Sequence, residues 1–115
     1  MYKITGSPTW KQHVDGLLQS ASSYYFSPPG ASNIMWEPDC EIENFCNHDM
    51  KIFKATLARF MYETAVVAPH TSGTIFNLLG DSAVGAAKAC TGDGGKLCGS
   101  KWYTCLLYTS PSPRD

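Results

Sequence analysis

The chain has no apolar run near the roughly 18–20 residues that a membrane-spanning helix needs. Charge is sparse: 17% of residues are charged and the formal net charge is −1. That balance gives no electrostatic reason to expect nucleic acid or an anionic membrane as partner. The stretch Tyr2-Lys3-Ile4-Thr5-Gly6 after Met1 lacks an apolar h-region, so no signal peptide begins there. In a complete protein this would indicate the cytosol; in a fragment, where Met1 can be internal, it indicates nothing. There is no internal repeat. What remains is ordinary for a globular protein: 43% of residues are hydrophobic, and a length of 115 residues allows one domain.

The end of the chain reads differently from the rest. Cys105 to Asp115 back-translates, codon for codon, into a common transposase-type sequencing adapter. Residues 105–115 are therefore expected to be read-through from library preparation and are set aside, which leaves 1–104 as protein sequence.

Setting the tail aside removes Cys105 and leaves Cys40, Cys46, Cys90 and Cys98. An even count suits a disulfide framework, with three connectivities possible. The local pairs Cys40–Cys46 and Cys90–Cys98 are favoured, because each closes a short loop containing Asn or Gly. Loops of about seven and nine residues would contribute roughly 2–3 kcal/mol each on the chain-entropy account. Disulfides imply an oxidising, secretory context. The alternatives are four reduced buried thiols, or a zinc site from Cys40, Cys46 and His48. The latter has neither a common zinc spacing nor an obvious fourth ligand. No metal or cofactor is expected.

Hydrophobic spacing predicts three helices. The first runs from about Pro8 to Tyr25, with Ser7 as N-cap, Pro8 at the first helical position, and an apolar stripe of Trp10, Val14, Leu17, Leu18, Ala21 and Tyr25. The second runs from about Asp49 to Val67, with Phe53, Leu57, Phe60, Met61 and Thr64 as its buried face; Pro69 stops it. The third runs from about Ser72 to Ala89, and its small-residue stripe (Ser82, Ala83, Ala86, Ala87) suits close approach by a neighbouring helix. Ala31 to Asn47 is irregular, with Ile34-Met35-Trp36 as a possible short strand. Trp10 and Trp102 are expected to pack, Arg59 to play a structural part, and His13 and His70 to lie at the surface.

The irregular segment carries the chemistry. Glu37, Asp39, Glu41, Glu43 and Asp49 bring carboxylates together around Cys40 and Cys46. Carboxylates accept bidentate hydrogen bonds from vicinal hydroxyls, and Trp36 could stack on a pyranose face. Trp36, Glu37, Asp49 and Lys54 are the candidate substrate-binding residues. Lys54 would either donate to a sugar hydroxyl or pair with Asp49 or Glu37. The rival reading of the cluster is a solvated acidic loop.

Several landmarks occur in order: Ile34-Met35-Trp36-Glu37, Cys40-Glu41, Cys46-Asn47-x-Asp49, Phe53-Lys54-Ala55, Leu57-x-Arg59-Phe60, Ala68-Pro69-x-Thr71, and Cys98-Gly99-x-Lys101-Trp102. Together they resemble the C-terminal half of glycoside hydrolase family 76, the mannan endo-1,6-α-mannosidases, and most of all the fungal cell-wall branch. The resemblance covers essentially Met1 to Tyr103. It implies an all-α fold, here a fragment of an (α/α)6 barrel with about three helices and disulfide-pinned loops. It implies action on α-1,6-mannan or on the GPI glycan, by hydrolysis or transfer. It also implies a protein secreted to the cell wall or held at the outer face of the plasma membrane, touching membrane only through a GPI anchor outside this segment. The retaining mechanism of the family uses two adjacent aspartates. No Asp-Asp pair occurs in this sequence, so the pair is expected upstream and no catalytic residue is assigned here.

Two other classes stand beside this one. The chain could belong to a catalytically dead mannan-binding or structural relative, or be a small secreted, disulfide-stapled helical protein.

Overall fold

The computed structural model describes residues 1–104; the expected adapter segment lies outside the described residues. The element order is α1 (Tyr2–Thr5), α2 (Pro8–Tyr25), α3 (His48–Val67) and α4 (Ser72–Lys88), with short 3-10 turns at Pro69–Thr71 and Asp93–Gly95. The three long helices fall where their spacing predicts, and the regular elements among the described residues are all helical. No helix among the described residues is long and apolar enough to cross a membrane.

The helix boundaries follow from local chemistry. At α2 the Ser7 side chain accepts the Thr9 N–H, with Pro8 behind it at the first helical position. At α3 the Asn47 side chain accepts the Met50 N–H at 2.9 Å, and Asp49 lies in the first turn, toward the positive end of the helix dipole. Ala68 leaves the helix at φ −130°, ψ 76°, as the residue before a proline tends to do. Pro69 then starts the turn that swings the chain into α4. The additional helix α1 ends at Gly6 with φ 64°, a left-handed conformation that glycine adopts at low cost.

Helices α3 and α4 pack against each other. The core gathers Phe26, Met35, Met61, Ala65, Ile75 and Leu78, with Leu18, Tyr25, Leu57 and Trp102 packed at its margin.

Four expectations need correction. Phe53 and Phe60 are not on the buried face of α3; they are 66% and 58% exposed. The buried residues are Lys54, Met61 and Ala65. Met61 and Leu57 do face inward, and Lys54 and Ala65 extend that face on the side away from Phe53 and Phe60. Trp10 does not pack in the core either: it is 39% exposed, with its ring beside His13. Ile34-Met35-Trp36 forms no strand. No sheet edge is available to it among the described residues, and its N–H groups go elsewhere: Met35 to Ser82 Oγ at 2.8 Å and Trp36 to the Tyr25 carbonyl at 2.9 Å. Finally, of the small-residue side of α4, Ser82 is buried while Ala83 and Ala87 are exposed rather than covered by a close neighbour. At Gly85 a Cβ would lie 2.7 Å from the Trp102 carbonyl oxygen and 3.3 Å from Ile34. Two irregular segments thus use the gap that glycine leaves.

The buried Ser82 hydroxyl donates to the Leu78 carbonyl at 2.7 Å while accepting from Met35. It therefore fixes the segment carrying Trp36 and Glu37 onto α4.

Candidate functional site

Two disulfides close the loops that flank this segment: Cys40–Cys46 and Cys90–Cys98. Both match the pairing expected from spacing, and Cys40–Cys46 leaves no thiolate for the alternative zinc site. The first loop delivers Glu41 beneath the start of α3. The second turns through Gly92–Leu97 and delivers Ser100 and Trp102 from the other side.

Lys54 joins them. Its Nζ lies 2.9 Å from Glu41 Oε2, 2.9 Å from the Ser100 carbonyl oxygen, and 3.9 Å from the centroid of the Trp102 ring. Both charged side chains are deeply buried, 8% and 2% exposed. Burial pushes the Lys54 pKa down against the pull of Glu41, and pushes the Glu41 carboxyl up against the pull of Lys54. Glu41 Oε2 also accepts the Glu37 N–H at 2.6 Å, so one oxygen orders both the lysine and the backbone at Glu37. Glu41 Oε1 and Trp36 Nε1 are buried without a hydrogen-bond partner among the described residues.

Above this pair lies a cleft enclosing about 160 Å³, lined by Tyr25, Met35, Trp36, Glu37, Phe53, Lys54 and Leu57. Trp36 is half-buried there, its ring edge-on to Tyr103 at 5.9 Å. Burial and the nearby Glu41 charge raise the Tyr103 pKa. A second cavity, of about 210 Å³ between α2 and α3, has only apolar side chains and Thr64 in its walls. It offers one hydroxyl and no charge to orient a polar ligand, whereas the first has an aromatic wall, a carboxylate and an ammonium.

Of the four sequence-predicted binding residues, Trp36, Glu37 and Lys54 come together in the cleft. Asp49 stands apart, exposed on the first turn of α3. Lys54 pairs with Glu41, rather than with the Asp49 or Glu37 considered from sequence. Asp39 accepts the Tyr24 hydroxyl at 3.0 Å, and that bond raises the Tyr24 pKa. Glu43, His48 and Arg59 are exposed. His70 lies away from the cleft, with Nε2 2.7 Å from Asp15 Oδ1.

Sequence reasoning did not single out Glu41, Ser100 or the cation-holding face of Trp102. The one available signal was Glu41's position directly after Cys40, where a disulfide turns the chain inward. A cleft with an aromatic wall, an ordered carboxylate and a fixed cation suits a neutral polyhydroxylated ligand.

The profile of glycosyl hydrolase family 76 matches residues 1–110. A Schizosaccharomyces pombe protein provisionally named mannan endo-1,6-alpha-mannosidase is 42% identical over 105 residues, which are 90% of this chain and 23% of that protein. Mannan endo-1,6-alpha-mannosidase DFG5 of Candida albicans is 36% identical, over 89% of this chain and 22% of its own length. Mannan endo-1,6-alpha-mannosidase DCW1 of Saccharomyces cerevisiae is 35% identical, over 90% of this chain and 22% of its own length. No solved structure matches. The chain thus spans less than a quarter of the length of these relatives. A profile that covers every described residue, with named relatives over much the same span, assigns the sequence: this chain belongs to glycosyl hydrolase family 76.

Proposed function

We propose that this chain is the part of a fungal α-1,6-mannan-acting glycoside hydrolase that builds one wall of the sugar cleft, with the catalytic carboxylates supplied by another part of the polypeptide. The observation that carries this reading is the convergence of Trp36, Glu37 and Lys54 in one cleft of a family 76 chain. Trp36 presents an aromatic wall, and Glu37 a carboxylate for vicinal hydroxyls. The full protein would act on α-1,6-linked mannose chains or GPI glycans, by hydrolysis or transfer, during cell-wall biogenesis. Residues 1–104 would be a partial catalytic domain and 105–115 an adapter-derived tail. Two disulfides support secretion, with any membrane attachment through a GPI anchor outside this segment. Asp49, exposed on the first turn of α3 and apart from the cleft, would contact, if it binds sugar, a more distant part of the substrate.

The test is to recover the full reading frame, express the protein, and incubate it with α-1,6-mannan. Release or transfer of manno-oligosaccharides, abolished when an adjacent aspartate pair outside this segment is changed to Asn, is the expected result. Binding without turnover would instead identify a non-catalytic mannan-binding relative; neither binding nor turnover would overturn the reading.

A further inference from the structure

We propose that Glu41 is the positioning residue of this cleft: by accepting both the Glu37 N–H and the Lys54 ammonium on one oxygen, it sets where Glu37 meets the sugar. This deepens the mannan-binding reading and rests on it for the identity of the ligand.

Glu37 sits in a segment with no regular structure. Nothing helical or sheet-like fixes its backbone, yet it lines the cleft. Two bonds from Glu41 hold it: the Glu41 carboxylate accepts the Glu37 N–H at 2.6 Å, and the Glu41 N–H donates to the Glu37 carbonyl at 3.0 Å. The side-chain bond is the adjustable one, because it depends on where the carboxylate is aimed.

Lys54 sets that aim. It comes from α3, a 20-residue helix. It holds Glu41 Oε2 at 2.9 Å while its other contacts, the Ser100 carbonyl and the Trp102 ring, hold it in turn. An ammonium has three donors; Glu41 Oε2 and the Ser100 carbonyl take two of them, and the Trp102 ring lies against it. Lys54 thus fixes Glu41 from the wall of the cleft that it also lines. The chain of positioning runs from α3 through Lys54 and Glu41 to Glu37.

The test uses the full-length protein carrying this sequence, with an α-1,6-linked manno-oligosaccharide as probe and two readouts. The first is a double-mutant cycle. Glu37→Gln and Glu41→Gln are each expected to raise Kd at least tenfold, and the double variant to be no weaker than the worse single. Effects that multiply would mean that Glu41 does not act through Glu37 and would overturn the proposal. The second is deuterium uptake in the peptide containing Glu37. Uptake there is expected to rise at least tenfold in rate in Glu41→Gln, with the peptides of α4 unchanged; unchanged uptake would overturn the proposal whatever the sugar does. If the wild type binds no manno-oligosaccharide but uptake rises as expected, the positioning stands and the mannan reading falls. Should Glu41→Gln fail to fold, Glu41→Leu/Lys54→Met removes both buried charges together, and the same two readouts apply.

Discussion

Lys54 Nζ lies 3.9 Å from the centre of the Trp102 ring, although Lys54 comes from the middle of the described residues and Trp102 from their end. The ring face is electron-rich, and an ammonium above it is held electrostatically. Trp102 thereby closes the side of the lysine that Glu41 and Ser100 leave open. The expectation that Trp102 packs is met, with a cation as well as apolar neighbours against it.

That burial makes the pair asymmetric under mutation. Lys54→Met alone strands the Glu41 carboxylate out of water, and we expect it to cost about 3–5 kcal/mol of stability. Glu41→Leu/Lys54→Met leaves no buried charge, and we expect it to recover most of that loss. Urea melts of the four proteins in the cycle measure this. Equal losses in the single and double variants would show that the pair's charges are not coupled.

Acid should open the pair without unfolding the chain. Burial raises Glu41 above its ordinary value of 4.5. A carboxyl with a higher pKa folded than unfolded takes up its proton in the folded state first. As pH falls toward 4.5, this group therefore adds stability rather than removing it. Lys54, depressed below 10.5, improves its contribution only as pH rises toward that value, outside the acid range. In a Trp10→Phe/Trp36→Phe background, Trp102 emission should change at a pH above 4.5 while far-UV circular dichroism stays constant. Glu41→Gln should abolish the change. An emission change seen only together with loss of helix would contradict the prediction.

Gly85→Ala should be destabilising despite alanine's better helix propensity. The propensity gain is about 1 kcal/mol. The new methyl would stand 2.7 Å from the Trp102 carbonyl oxygen, and backbone cannot rotate away as a side-chain tip can. Overpacking of this kind costs about 1–3 kcal/mol. We expect a lower melting temperature and weakened protection of the 98–104 segment. A higher melting temperature would mean that the segment shifts freely.

Leu17 is 74% exposed and Phe60 58% exposed, and both line the apolar cavity between α2 and α3. If the full polypeptide covers that face, Leu17→Ser/Phe60→Ser should reduce self-association of residues 1–104 expressed alone while keeping helical circular dichroism. The same changes should destabilise the full-length protein. A wild-type 1–104 segment that is monomeric with a cooperative melt would favour the small, self-sufficient disulfide-stapled protein instead.

The helices were legible because their signals are local. Ser7-Pro8, Asn47 and Pro69 mark ends that any neighbour would leave in place, and three- and four-residue spacing marks the bodies. Which face of α3 turns inward was not legible. Phe53 and Phe60 are more apolar than Lys54, so composition favours the wrong face. Lys54 goes inside because Glu41 and Ser100, brought in by two separate loops, await it there. Trp36, Glu37 and Lys54 do meet in the cleft, but nearness along the chain did not select them, because Asp49 lies between Glu37 and Lys54 and stands apart. Ser100 and Trp102 stand far from Lys54 along the chain, and only folding brings them to the same nitrogen.

The clasp at Lys54 also couples two covalent events. Glu41 follows Cys40, and Ser100 lies two residues beyond Cys98, so each disulfide presents one half of the lysine's surroundings. Closing either loop favours the placement of Lys54 that the other loop needs. By thermodynamic reciprocity, each thiol pair must then raise the equilibrium constant for oxidising the other by the same factor. To the degree that one amine holds both sides, the two disulfides would be linked through it although no bond joins them.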